Sequence, residues 1–194
     1  SPTRVETWGG GLVRPPSKRD RPKQASPDAT GAMTPKQVVV DIADMKVGRG
    51  PDVTLTTYAL GSCIGVAIYD PKVQVGGMLH FMLPESKINP EKAKANPFMF
   101  ADSGVPPLFL ESYKIGADKR RLIVTLAGGA NVLDNNEYFN IGKRNYLAVR
   151  KILFKNNVLI KKECVGGNTG KTMRMNLATG AVTIKMPNGQ EQQL

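Results

Sequence analysis

Short runs of alternating or continuous apolar residues, each closed by glycine, proline or asparagine, divide most of the chain into compact elements. "VTLTTYAL", "CIGVAIY" and "GGMLHFMLP" are rich in β-branched and aromatic residues and end at turn formers, which predicts three strands. A first strand is expected over Val38 to Ile42, inside "KQVVVDIADM". "RRLIVTLAGGA" reads as a buried strand running into a glycine turn. "VPPLFLESYKIG" predicts a helix that starts on its prolines and stops at Gly116. In "IGKRNYLAVRKILFKNN" the apolar positions Leu147, Val149, Ile152 and Leu153 recur at near-helical spacing, with Asn156 and Asn157 as the stop. After "VLIKKECV", the runs "KTMRMNL" and "AVTIKM" flank Ala178-Thr179-Gly180, a hairpin signal. Strands outnumber helices and are joined mainly by short turns. The expected class is α+β: a single layered domain of mixed, mostly antiparallel β-sheets with the helices packed outside.

Residues 1–35 break this pattern. "SPTRVETWGGGLVRPPSKRDRPKQASPDATGAM" has no apolar periodicity and is rich in Pro, Gly, Ser and charge, so it is expected to be a disordered tail before a domain at 36–194. With 194 residues, 41% of them hydrophobic, the chain suits one domain that folds without a disulfide or a structural metal. Its two cysteines are expected to be reduced thiols, as in a cytoplasmic protein. No h-region of a signal peptide is present at the N-terminus, and no apolar run approaches the roughly 18–20 residues that span a bilayer.

The net charge of +11 raises nucleic acid, an anionic membrane surface or an acidic protein as partners. Residues 1–35 carry six Lys/Arg and three Asp/Glu, so eight of the eleven surplus positive charges belong to the rest. Aromatic content is only 6%, and neither a zinc finger nor an RNP or GXXG motif accompanies the charge, which argues against nucleic acid. "GGNTGKT" is not a phosphate loop: the position that should hold its first glycine is Val165, and the segment joins strands rather than opening a helix. One histidine and two distant cysteines do not make a zinc site. Cys164 reads as an ordinary strand residue.

The chemistry-bearing candidates are Cys63 and His80, the only histidine of the chain. Asp70-Pro71-Lys72-Val73 fits a type I turn, and a tight hairpin about it would set Cys63 directly opposite His80 on one face. A slip of one residue would part them, and Gly76-Gly77 could hold a bulge that alters the register. If the two meet at a partly exposed sheet surface, an imidazolium would draw the thiol toward thiolate and later protonate a departing amine. "LGS" before the cysteine keeps the approach open, leaving backbone N–H groups near Ser62 and Cys63 for an oxyanion. The alternative is a cysteine and a histidine that serve only packing.

"TYALGSCIGVAIYDPKVQVGGMLHFMLP" closely resembles the signature of the CheD family, the chemoreceptor glutamine deamidases of chemotaxis. The likeness continues through "FADSGVPPLFLESYKIGA", "LIVTLAGGANVL", "FNIGKRN" and the Thr-Gly hairpin, covering residues 38–186 in order. It implies a layered α/β fold and a Cys–His–Thr catalytic group like that of deamidating cysteine toxins. Carried over, the group is Cys63, His80 and Thr57, with no metal or organic cofactor. The implied reaction is hydrolysis of receptor glutamine side chains, with receptor glutamate methyl esters as secondary substrates. The implied partners are the chemoreceptor cytoplasmic domain and the CheC phosphatase, with no nucleic acid and no insertion into the membrane. The competing expectation is an adaptor that binds receptors or CheC without catalysis.

Overall fold

The computed structural model describes residues 6–8, 11–13, 36–132 and 140–194. Of the expected tail only two short strands fall among them, β1 (Glu6–Trp8) and β2 (Gly11–Val13), paired antiparallel. The remainder of that expectation lies outside the described residues.

The domain is built from two five-stranded sheets. In one, the order is β12 (Glu191–Gln193), β11 (Val182–Lys185), β10 (Lys171–Asn176), β5 (Val53–Leu60), β3 (Lys36–Val39). In the other it is β4 (Asp44–Arg49), β7 (Val75–Phe81), β6 (Ile64–Asp70), β8 (Ile123–Gly128), β9 (Ile160–Val165). Two pairs, β3–β5 and β8–β9, are parallel, and the rest are antiparallel. The α+β expectation is met. Helices α2 (Ala101–Lys114) and α3 (Ile141–Lys155) cover the second sheet, and the short α1 (Pro90–Ala95) precedes them.

Every residue of β6 and β7 is buried because that sheet is covered on both faces. Ile64, Val66 and Ile68, with Leu79 and Phe81, meet Val105, Leu108 and Phe109 of α2 and Val149 and Leu153 of α3. Their alternates Ala67, Tyr69 and Met78 meet Leu55, Met173, Met175 and Ile184 of the first sheet. The layers therefore run sheet, sheet, helices. Gly180 shows how closely the sheets approach: it has φ +76, and a Cβ there would run into the Tyr69 ring. The Tyr69 hydroxyl donates to the Leu177 carbonyl beside it.

Three expectations change. The first strand ends at Val39, not Ile42: the Asp44 carboxylate accepts from Asp41 N–H, Ala43 takes φ 55, and the chain crosses into β4 of the other sheet. Helix α2 begins at Ala101, so Pro106 and Pro107 lie inside it and leave the Asp102 and Ser103 carbonyls without their usual donors. The β6–β7 connection is a four-residue loop, Pro71 to Gln74, because buried Asp70 stays in the ladder opposite Val75. Its register is regular through Gly76 and Gly77, with no bulge.

Candidate active site

The longer loop moves the register by two residues, so Gly65, not Cys63, faces His80. A two-residue shift preserves parity, and Cys63 stays on the His80 side. Cys63 precedes β6 directly and packs on the core between the sheets. The two residues are diagonal neighbours, an arrangement with about 7–8 Å between Cα atoms. The expected exposed surface is not found. His80 is fully buried inside the sandwich, and Cys63 is half-buried at its rim.

Thr57 completes the arrangement from the opposite sheet. It is fully buried on β5, and its Oγ1 lies 2.7 Å from His80 Nδ1 and 2.7 Å from the Val40 carbonyl oxygen. A carbonyl can only accept, so the single hydroxyl proton of Thr57 goes to Val40. Thr57 must then accept from His80, which places the imidazole proton on Nδ1. Nε2 carries the lone pair and is buried without a partner among the described residues. In this tautomer the ring can take up a further proton only at Nε2.

A bulge lets β5 make this contact. Thr57 pairs with Met173 and Leu60 with Lys171, so β5 carries one residue more than β10 between the two pairs. Ala59 absorbs it at φ 56, a left-handed conformation costly for a residue with a Cβ. The extra residue turns Leu60 inward as well as Thr57, and Leu60 is fully buried between the sheets. The chain then bends through Gly61, Ser62 and Cys63 into β6.

That bend is held by its carbonyls. Ala130 N–H donates to Gly61 O at 2.8 Å and Gly129 N–H to Cys63 O at 2.8 Å. The Asn145 side chain of α3 donates to Ser62 O at 2.9 Å and to Met82 O at 2.8 Å. Gly128, at φ +103, lies against the Cys63 carbonyl, where any Cβ would collide. Among the described residues the N–H groups of Ser62 and Cys63 donate to no backbone carbonyl, and the Cys63 N–H lies against its own sulfur.

Electrostatics revise the sequence expectation of an imidazolium beside a thiolate. Burial pushes the Cys63 thiol above its ordinary value, its own backbone N–H opposing only in part. Burial also lowers His80 from 6.5 to about 4. At neutral pH both are uncharged.

The other candidates stay apart. Cys63 and Cys164 are free thiols. Lys171 of "GGNTGKT" turns its Nζ to the Cys164 and Gly166 carbonyls and so braces the β9–β10 turn. Among the described residues no group of three or more His, Cys, Asp or Glu comes together, and no helix is long and apolar enough to cross a membrane.

A family model described as CheD chemotactic sensory transduction matches residues 82–186. The chain is 49% identical over 159 residues to the probable chemoreceptor glutamine deamidase CheD of Solibacter usitatus, covering 82% of this chain and 94% of that protein. This chain belongs to the CheD family. It is also 50% identical over 157 residues to the probable chemoreceptor glutamine deamidase CheD 1 of Syntrophus aciditrophicus, covering 81% of this chain and 98% of that protein. The CheD family model begins matching at residue 82, just past His80, so Cys63, His80 and Thr57 precede its match. Asn145 lies within the CheD match. Its signal in the sequence was a polar residue in register with Val149 and Leu153, on the buried stripe of an otherwise amphipathic helix.

Proposed function

We propose that this protein hydrolyses glutamine side chains of chemoreceptors to glutamate, using Cys63 as nucleophile, His80 as base and acid, and Thr57 to orient the imidazole. The observation that carries the reading is the Thr57 hydroxyl between Val40 O and His80 Nδ1, which leaves Nε2 free to take a proton. The names of the relatives in Solibacter and Syntrophus support the substrate class.

The steps follow from the tautomer. The Cys63 thiol gives its proton to His80 Nε2 as sulfur bonds to the amide carbon, and the amide oxygen becomes an oxyanion held by the Ser62 and Cys63 N–H groups. The imidazolium protonates the nitrogen, the C–N bond breaks, and ammonia leaves a thioester. Nε2 then takes a proton from water, hydroxide adds to the thioester, and the carboxylate departs as the thiol regains its proton. Receptor glutamate methyl esters present the same acyl carbon and enter at the first step with methanol as leaving group. The substrate surface is the receptor's cytoplasmic domain, which puts the protein in the cytoplasm, and the CheC phosphatase is the second partner in this reading.

The test is incubation with receptor cytoplasmic fragments and mass spectrometry of their glutamines. Conversion to glutamate by the wild type and none by Cys63→Ala supports the reading. Tight receptor binding with no conversion would replace it by the adaptor.

A further inference from the structure

We propose that Asn145 is a positioning residue that aims the oxyanion donor of Cys63. This rests on the deamidase reading and extends it to a residue on the far side of the sheet.

Asn145 is fully buried on α3, and each proton of its amide nitrogen meets a different carbonyl: Ser62 O at 2.9 Å and Met82 O at 2.8 Å. Two carbonyl acceptors settle which end of the amide faces them. Its Oδ1 is buried without a partner among the described residues, a cost a purely packing side chain would not incur. Ser62 O and Cys63 N–H belong to one planar trans peptide, in which C=O and N–H point in opposite directions. Fixing Ser62 O therefore fixes where the Cys63 N–H points. The neighbouring plane is fixed in the same way, because Ala130 N–H holds Gly61 O and so sets the Ser62 N–H. The second Asn145 bond ends two residues past His80, tying the oxyanion plane to the strand that carries the base. The bend holding the nucleophile contains glycine and serine and lies outside both strands, so it has no ladder of its own to set these planes.

Two reactions of the Cys63 sulfur separate this role from simple support of the fold. Alkylation by iodoacetamide forms an S–C bond as iodide leaves and develops no oxyanion. A receptor peptide carrying glutamate γ-semialdehyde in place of the target glutamine adds the thiol across its C=O, sulfur to carbon and proton to oxygen, and that oxygen occupies the oxyanion position. For Asn145→Ala we expect alkylation at the wild-type rate, an aldehyde affinity and a kcat for deamidation each reduced roughly 100-fold, and KM little changed. Asn145→Asp, of the same shape with both donors gone, should behave likewise. Equal losses in alkylation and aldehyde binding, or no loss in either, would overturn the proposal. Wild-type protein gives a check that needs no variant to fold: on aldehyde addition the Cys63 amide proton should move downfield while the Asn145 side-chain amide stays protected from exchange. An unmoved Cys63 amide, or a freely exchanging Asn145 amide, overturns it as well. A wild type that alkylates but neither binds aldehyde nor deamidates would remove the deamidase reading itself. One that does both, with Asn145→Ala equal to it, removes only the role of Asn145.

Discussion

The two ends of β6 each bury a polar group, and they treat it differently. At the far end the Asp70 carboxylate is fully buried and fully used: Oδ1 accepts from Lys72 N–H and Arg121 Nε, and Oδ2 from Asp118 N–H and Arg121 Nη2. At the near end, beside Cys63, buried His80 has one ring nitrogen bonded to Thr57 and the other with no partner among the described residues. Protein interiors rarely leave such an atom unpaired. The satisfied site holds two strands and a loop together. The half-satisfied site keeps a lone pair in reserve, which is what a base requires.

The comparison breaks first at its chemistry. Cys63→Ala and His80→Ala should each reduce deamidation of receptor fragments to background, a loss of at least about a thousandfold, with an unchanged circular dichroism spectrum. Arg121→Ala should do the reverse: about 3 kcal/mol of stability lost in urea unfolding, because the Asp70 charge loses its partner, with kcat of the folded protein kept. Activity loss in Arg121→Ala beyond its unfolded fraction would erase the distinction between the two ends.

Next comes Thr57. Thr57→Val keeps the shape and removes the acceptor that holds the His80 proton on Nδ1. We expect kcat to fall roughly 10- to 100-fold, the range for partners that orient a metal-bound histidine, and Thr57→Ser to restore most of it. Full activity in Thr57→Val would mean that another group fixes the tautomer.

The histidine also makes a prediction for stability. With His80 at about 4 in the folded protein and near 6.5 unfolded, the unfolded chain binds the extra proton between these values. Stability should therefore fall as pH drops through this window, by about 3 kcal/mol once below it, relative to His80→Gln. Parallel pH–stability curves for the two proteins would show that the imidazole is not buried as a neutral group. The smallest expected effect is electrostatic steering. Arg174 and Lys185 line a cleft with Tyr58 and Ala59 on the outer face of the first sheet, at the end of β5. Raising salt, or substituting Arg174→Glu, should lower kcat/KM on acidic receptor fragments severalfold and leave a small neutral glutamine peptide unaffected. Equal salt sensitivity of both substrates would leave this charge without a role in recognition.

How much of this could be read in the sequence depended on how local its cause was. The strand that became β8, the helix α3 and the hairpin at Gly180 follow from period, caps and turn residues a few positions apart. Parity survives a two-residue shift, so the longer loop puts Gly65 opposite His80 and leaves Cys63 on the same side. The loop length was set by Asp70 binding Arg121, a partner distant in sequence and invisible to turn rules. The split of the first strand into β3 and β4 was decided by which sheet each half joins. The bulge at Ala59 carries no glycine to announce it, and the tautomer depends on Val40, whose relevant atom is a backbone carbonyl present in every residue.

Because His80 is the chain's only histidine, ring 15N labelling gives one pair of signals, and these test the central claim directly. The account predicts a neutral ring with its proton on Nδ1 and a bare Nε2, unchanged from neutral pH down to about 5 and titrating only near 4. A proton on Nε2, or a ring that titrates near its ordinary 6.5, would contradict it.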